Sequence, residues 1–196
     1  MTMGTKKKKY GPEEFRYAKP LADALKNDSA FGSWVLKQTK KFAKYADPAP
    51  RLLHVEMMNW RKERGSSAEY WWQFHHHLKC DCRGCVGGKE TDLLAIFEAA
   101  TGRRFALHIE VKHPTDRFDT KKKRDQAAVY PDRAQCWVTK TPDRVLPHEE
   151  ATTALVFSEL KREEFAPHLK HFDGKITFED IKKEFPNWAP LPAKPT

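Results

Sequence analysis

The chain has 196 residues, 39% hydrophobic, 12% aromatic and 32% charged, and its six Trp, five Tyr and twelve Phe exclude general disorder and suffice for one domain with a real core. Lys and Arg outnumber Asp and Glu by 36 to 27, and the net charge of +9 favours a polyanionic partner such as nucleic acid. No apolar span is long enough for a membrane helix and none follows the Lys6–Lys9 run as in a signal peptide, so an intracellular, cytoplasmic protein with no membrane partner is expected.

Residues 1–17 read as a flexible basic arm, 18–187 as a single domain and 188–196 as a Pro-rich tail. Between Ser29 and Tyr45, residues Phe31, Trp34, Val35, Gln38, Phe42 and Tyr45 recur at helical spacing, with Lys37, Lys40, Lys41 and Lys44 largely elsewhere, which predicts an amphipathic helix with a basic face. After "DPAP" a second helix is predicted from about Arg51 to Glu63, stopped by Gly65. Tyr70, Trp72, Phe74, His76 and Leu78 alternate as in a strand, whereas Ser66 and Glu69 resemble a helix capping box, and both readings stay open.

A His/Cys-rich loop at 75–88 then leads to two clear strands, about Asp92 to Phe97 and Arg104 to His113. A charged helix is predicted over 119–130, ended by Pro131, followed by strands at "AQCWVT" and "TTALVF". Next come a helix from about Glu159 to His171, the turn "DGK", and a short helix capped by Thr177 and Asp180. This order predicts a mixed α/β sandwich with helices on the sheet faces. Trp71, Trp72 and Trp137 read as core residues.

Within the first pair of strands, Asp92 lies opposite Glu110 only if the turn is centred on residue 101, where the sequence places Thr101-Gly102. Strand parity puts His108, Glu110 and Lys112 on one face and the wholly apolar Phe105, Leu107, Ile109 and Val111 on the other. Burying a charge is costly unless it is paired or binds metal. Two carboxylates and an ammonium at this spacing suit a hard divalent cation: Asp92, Glu110 and the Val111 carbonyl as ligands of Mg²⁺ or Mn²⁺, and Lys112 at a scissile phosphate or attacking water. A second triplet, Glu159-Leu-Lys161 with Pro142-Asp143 upstream, lacks a hairpin turn, and Pro147 interrupts the intervening segment.

Asp92, then Glu110-Val-Lys112 in a strand, then Gln126-x-x-x-Tyr130 resembles the PD-(D/E)XK nuclease superfamily, the Gln/Tyr element its RecB-type branch. Thr91 stands where that motif has proline. The resemblance implies a restriction-endonuclease-like mixed sheet with an αβββαβ core and extra terminal helices. It also implies a magnesium-dependent deoxyribonuclease in which Gln126 and Tyr130 support Lys112 or the DNA backbone. Many members add a Glu from an early helix, for which Glu56 is the first choice and Glu63 the second. Basic residues at Lys121, Lys122, Lys123 and Arg124, with Lys40, Lys41, Arg61 and Lys62 upstream, are candidates for neutralising phosphates. Cutting both strands of a duplex would suit a homodimer.

His77, Cys80, Cys82 and Cys85 are spaced as a tetrahedral Zn²⁺ would accept, a candidate structural site beside the catalytic one; an iron–sulfur cluster would need Cys136 as fourth thiolate. Two other functions compete. A binding module of the same fold would hold DNA without turnover. A zinc-dependent nucleobase deaminase would use His54, Cys82 and Cys85 as ligands and Glu56 for proton transfer, but Asp81 replaces that signature's proline and the Asp92, Glu110, Lys112, Gln126 set is left without a role.

Overall fold

The structure, a computed structural model, describes residues 11–67, 69–75, 82, 90–118 and 125–188. Helix α1 (Pro12–Asn27) starts inside the stretch expected to be a loose arm. Pro12 occupies its first turn, where a missing N–H costs nothing, and Glu13 and Glu14 complement the positive end of the helix. Asp28 ends α1 and caps α2 (Ser29–Lys37), its Oδ1 accepting the N–H groups of Ala30 at 2.9 Å and Phe31 at 3.2 Å. The basic helix predicted over 29–45 therefore stops at Lys37, and a 3-10 turn follows at Ala43–Tyr45.

The segment expected to be one helix from Arg51 divides into β1 (Arg51–Leu52) and α3 (His54–Glu63), because its first two residues pair with another strand. Of the alternating aromatic run, Phe74–His75 forms β2, which pairs antiparallel with β3 (Glu90–Thr91) as a small separate sheet. The two clear strands are β4 (Leu93–Glu98) and β5 (Arg104–Lys112). Next comes α4 (Val129–Thr139), which contains "AQCWVT". The Trp, Val and Thr of that segment suggested a strand. Pro131 instead sits in the helix's first turn, where proline is tolerated, and Tyr130, Ala134 and Trp137 form a buried helical stripe. The chain closes with β6 (Glu150–Phe157), α5 (Arg162–Leu169), β7 (Gly174–Thr177) and α6 (Phe178–Glu184). Thr177 and Asp180 cap α6 reciprocally, as expected.

The five strands of the main sheet are ordered β1-β4-β5-β6-β7. Strands β1, β4 and β5 run antiparallel in turn, whereas β5, β6 and β7 are parallel, with α4 and α5 as the crossovers. This is a mixed α/β architecture with a five-stranded mixed sheet flanked by helices. Strand β6 divides the core: Ala154 and Val156 pack with Ile109, Val111, Tyr17 and Leu21, whereas Leu155 and Phe157 pack with Tyr130, Phe165 and Phe172. Trp71, Trp72 and Trp137 are buried, and no described helix is long and apolar enough to cross a membrane.

Candidate active site

Every pair of the β4–β5 ladder sums to 202, from Leu93↔Ile109 to Glu98↔Arg104, so the hairpin is centred on residue 101. Gly102 adopts φ +80° and its N–H bonds the Ala99 carbonyl at 2.8 Å, a type I turn closed by a left-handed residue. The same register carries Asp92, just before β4, to the level of Glu110. Its Oδ2 accepts the Val111 N–H at 2.8 Å. Phe105, Leu107, Ile109 and Val111 are buried on the other face, as the parity predicts.

Asp92, Glu110 and Lys112 are at most 4% exposed. Lys112 Nζ lies 2.8 Å from Glu110 Oε1 and 3.2 Å from Asp116 Oδ2. Gln126 Nε2 donates to Glu110 Oε1 at 3.0 Å, and the Tyr130 hydroxyl donates to Glu110 Oε2. Gln126 in the turn before α4 and Tyr130 in its first turn thus meet the same carboxylate. The Asp92 carboxyl interacts with that of Glu110 and is among the groups that lower the Glu110 pKa.

Electrostatics separate the two acids. Burial, then the charges of Glu110 and Glu14, push Asp92 well above the usual carboxylate range, against the opposing pull of Lys112 and the Val111 N–H. For Glu110 burial acts in the same direction, but Lys112, Tyr130 and Asp92 outweigh it and hold the group below its ordinary value. Burial works against the Lys112 charge, yet Glu110, Asp92 and Asp116 raise its pKa, so the ammonium is retained. Without metal, a proton on Asp92 relieves the repulsion between the two carboxylates.

Glu14 supplies a further carboxylate that sequence reasoning missed. It is the third residue of α1, accepts the Gly11 N–H, and is half-buried facing Glu110, Lys112 and Asp116; burial and the Glu110 charge raise its pKa. Helix α1 is held over the end of β5 by Tyr17, whose ring lies 6.0 Å from that of His113. The signal was local: Gly11-Pro12-Glu13-Glu14 reads as a helix start, and assigning it to the arm hid it. Arg133 was also missed. It is 1% exposed, donates from Nη1 to Thr91 Oγ1 at 3.1 Å and lies 4.6 Å from the Tyr130 ring, so it braces the residue before Asp92 and the tyrosine that holds Glu110. Thr91, in the motif's proline position, is therefore a fixed polar contact.

Other candidates fall elsewhere. Glu56 pairs with Arg51, which also binds Glu98 at 3.0 Å at the opposite end of β4, so the structure does not bring it to Asp92; Glu63 lies 3.4 Å from Arg64. His54 opens α3 with its ring 6.3 Å from that of Trp71. Arg61, expected on a basic surface, is 2% exposed and donates from Nη1 to the Tyr70, Trp71 and Gln73 carbonyls; burial lowers its pKa to about 10. Glu159 and Lys161 lie in a 3-10 turn, paired with Arg162 and Glu164. Cys82 is half-buried against the core, whereas His77, Cys80, Cys85 and Lys121, Lys122, Lys123 and Arg124 lie outside the described residues.

The donor set tests the implied metal. Asp92 and Glu110 offer carboxylate oxygens and Val111 a carbonyl, the hard ligands that Mg²⁺ and Mn²⁺ prefer. No three His, Cys, Asp or Glu side chains converge as a metal cage among the described residues. Two carboxylates are enough for Mg²⁺, which keeps several waters. The repulsion from Glu110 and Glu14 that helps to raise the Asp92 pKa is what a cation would relieve, so the residues fit the ion. Compared with protein-family models, curated proteins and solved structures, the chain finds no match.

Proposed function

We propose that the protein is a metal-dependent deoxyribonuclease of the PD-(D/E)XK type, with a restriction-endonuclease-like core. One observation carries the reading: a hairpin register that buries Asp92 against Glu110 with Lys112 on the same face, so that a single ammonium faces two buried carboxylates, a costly arrangement that a bound cation would offset. Asp92, Glu110 and the Val111 carbonyl would hold Mg²⁺ or Mn²⁺, and Glu14 takes the helix position first sought at Glu56. When bound, the ion supplies Lewis-acid polarisation of the phosphodiester and a more acidic water.

The chain's own residues do the rest. Lys112 stays protonated, so it serves as a fixed positive charge for a non-bridging phosphate oxygen and orients the attacking water, rather than acting as a base. Asp116 holds the same ammonium at 3.2 Å. Gln126 and Tyr130 fix the Glu110 carboxylate, limiting its rotation as substrate enters.

Incubation with duplex, single-stranded and branched DNA in Mg²⁺ or Mn²⁺ tests this, with Lys112→Ala beside the wild type. Cleavage is expected to fall by about two orders of magnitude or more in the variant, the usual cost of removing one preorganised charge. Undiminished cleavage by the variant would sink the assignment, and absence of cleavage on every substrate would favour a DNA-binding module without turnover.

A further inference from the structure

A second feature lies beside the Gln126–Tyr130 segment, at the outer edge of the main sheet. Strand β7 begins opposite Ala154, so the first residues of β6 lack a strand partner on that side, and an open groove of about 390 Å³ occupies the space. Its walls are Thr152 and Thr153 of β6, Lys40 from the segment after α2, Lys170 and His171 at the end of α5, and Lys175 of β7.

The lysines come from separate elements, and none of the three is ion-paired with a carboxylate among the described residues. Among the described residues that line the groove the one carboxylate, Asp173, is committed to the fold: its Oδ2 accepts the Lys41 N–H at 2.9 Å and the Thr152 hydroxyl at 3.2 Å. Three lysines against one such carboxylate give the described lining a net positive charge, with Thr152 and Thr153 of β6 also part of it.

The groove adjoins the catalytic group. His171 Nε2 lies 3.7 Å from Asp125 Oδ2, and the next residue, Gln126, holds Glu110. The Phe172 ring is 5.5 Å from that of Tyr130. Thr153 pairs with His108, two residues before the Leu155–Glu110 pair, a separation of about 7 Å along the strand. We propose that this groove is a backbone subsite for the nucleic acid, in which Lys40, Lys170 and Lys175 hold phosphates of the strand flanking the bond cleaved between Asp92, Glu110 and Lys112. The proposal rests on the nuclease reading for its substrate class and adds where that substrate lies.

Contacts of this kind are independent of sequence and appear as salt dependence. The test is equilibrium binding of fluorescent single-stranded and duplex oligonucleotides to the full chain in EDTA, across a salt series. A Lys40→Ala/Lys170→Ala/Lys175→Ala variant is compared with a charge-matched Lys26→Ala/Lys182→Ala/Lys183→Ala control, circular dichroism verifying that both fold. Loss of three phosphate contacts should flatten the slope of log K against log salt by about two to three. The control should keep the wild-type slope. An unchanged slope in the groove variant, or equal flattening in the control, overturns the subsite. So does displacement of DNA by inorganic polyphosphate at far lower concentration than by competitor DNA, which would make polyphosphate the occupant. Flattening confined to the groove variant, without cleavage in Mg²⁺ by wild type, would leave the subsite standing and remove the nuclease; cleavage with an unchanged slope would do the reverse.

Discussion

Asp92 is buried beside a second carboxylate, Glu110. Its carboxyl titrates well above the ordinary value of 3.8, so the native state binds this proton more tightly than the unfolded chain. The stabilisation from that proton is complete at low pH and is lost as pH rises from the ordinary value through the raised one. At neutral pH the ionised side chain is therefore a cost, and Asp92→Asn is expected to stabilise the metal-free protein by about 1 kcal/mol or more, as replacements of functional groups commonly do. Urea unfolding in EDTA measures this. Added Mg²⁺ should raise the wild-type thermal midpoint, with about 2.7 kcal/mol at a hundredfold excess over Kd, and the variant's much less. A variant no more stable than wild type and equally responsive to Mg²⁺ would remove Asp92 from the metal site.

At the scale of elements, the β4–β5 hairpin was legible because two periodicities and a turn agreed: alternation on both strands and Gly102 at the residue that needs positive φ. A Cβ at Gly102 would meet no atom within 4 Å, so the penalty of Gly102→Ala is purely conformational. Denaturant unfolding should show a loss of about 1 kcal/mol, with the site register and metal response preserved. Elements decided by long-range pairing were not legible. Arg51–Leu52 has helix-compatible residues and becomes a strand because Glu98 and Phe97 lie beside it. β7 hid behind the "DGK" turn, and there a Cβ on Gly174 would come within 3.0 Å of Thr39 and 3.1 Å of Ala154, so glycine allows the close approach of strand and loop. "AQCWVT" reads as a strand by residue type yet is helical, because the crossover between parallel β5 and β6 places a helix there.

At the scale of the whole molecule, burial makes stability depend on pH. His108 and His148 are buried with no hydrogen-bond partner on Nε2 among the described residues, and burial holds both below the ordinary histidine range, His108 aided by the charges of His148 and Arg133. The unfolded chain then binds these protons more tightly, so the stability they contribute is complete above about pH 6.5 and lost as pH falls. The histidine contribution should decline from pH 7.5 to pH 5, each unit of pKa depression being worth about 1.4 kcal/mol and opposing the gain from Asp92, so the unfolding free energy of His148→Leu should fall less, or rise more, than that of wild type over this range. Parallel pH dependence in the two proteins would exclude His148 from the acid transition. The amino-acid order alone was enough to pair Asp92 with Glu110, to place Lys112 beside them, and to set Gln126 and Tyr130 four residues apart, because turn chemistry and strand parity act over neighbouring residues. It was not enough to find Glu14, Asp116, Arg133 or the lysine groove. Those groups meet through the docking of α1, the crossover α4 and the short edge strand β7, and such long-range packing is set by burial of the whole core, which no local pattern records.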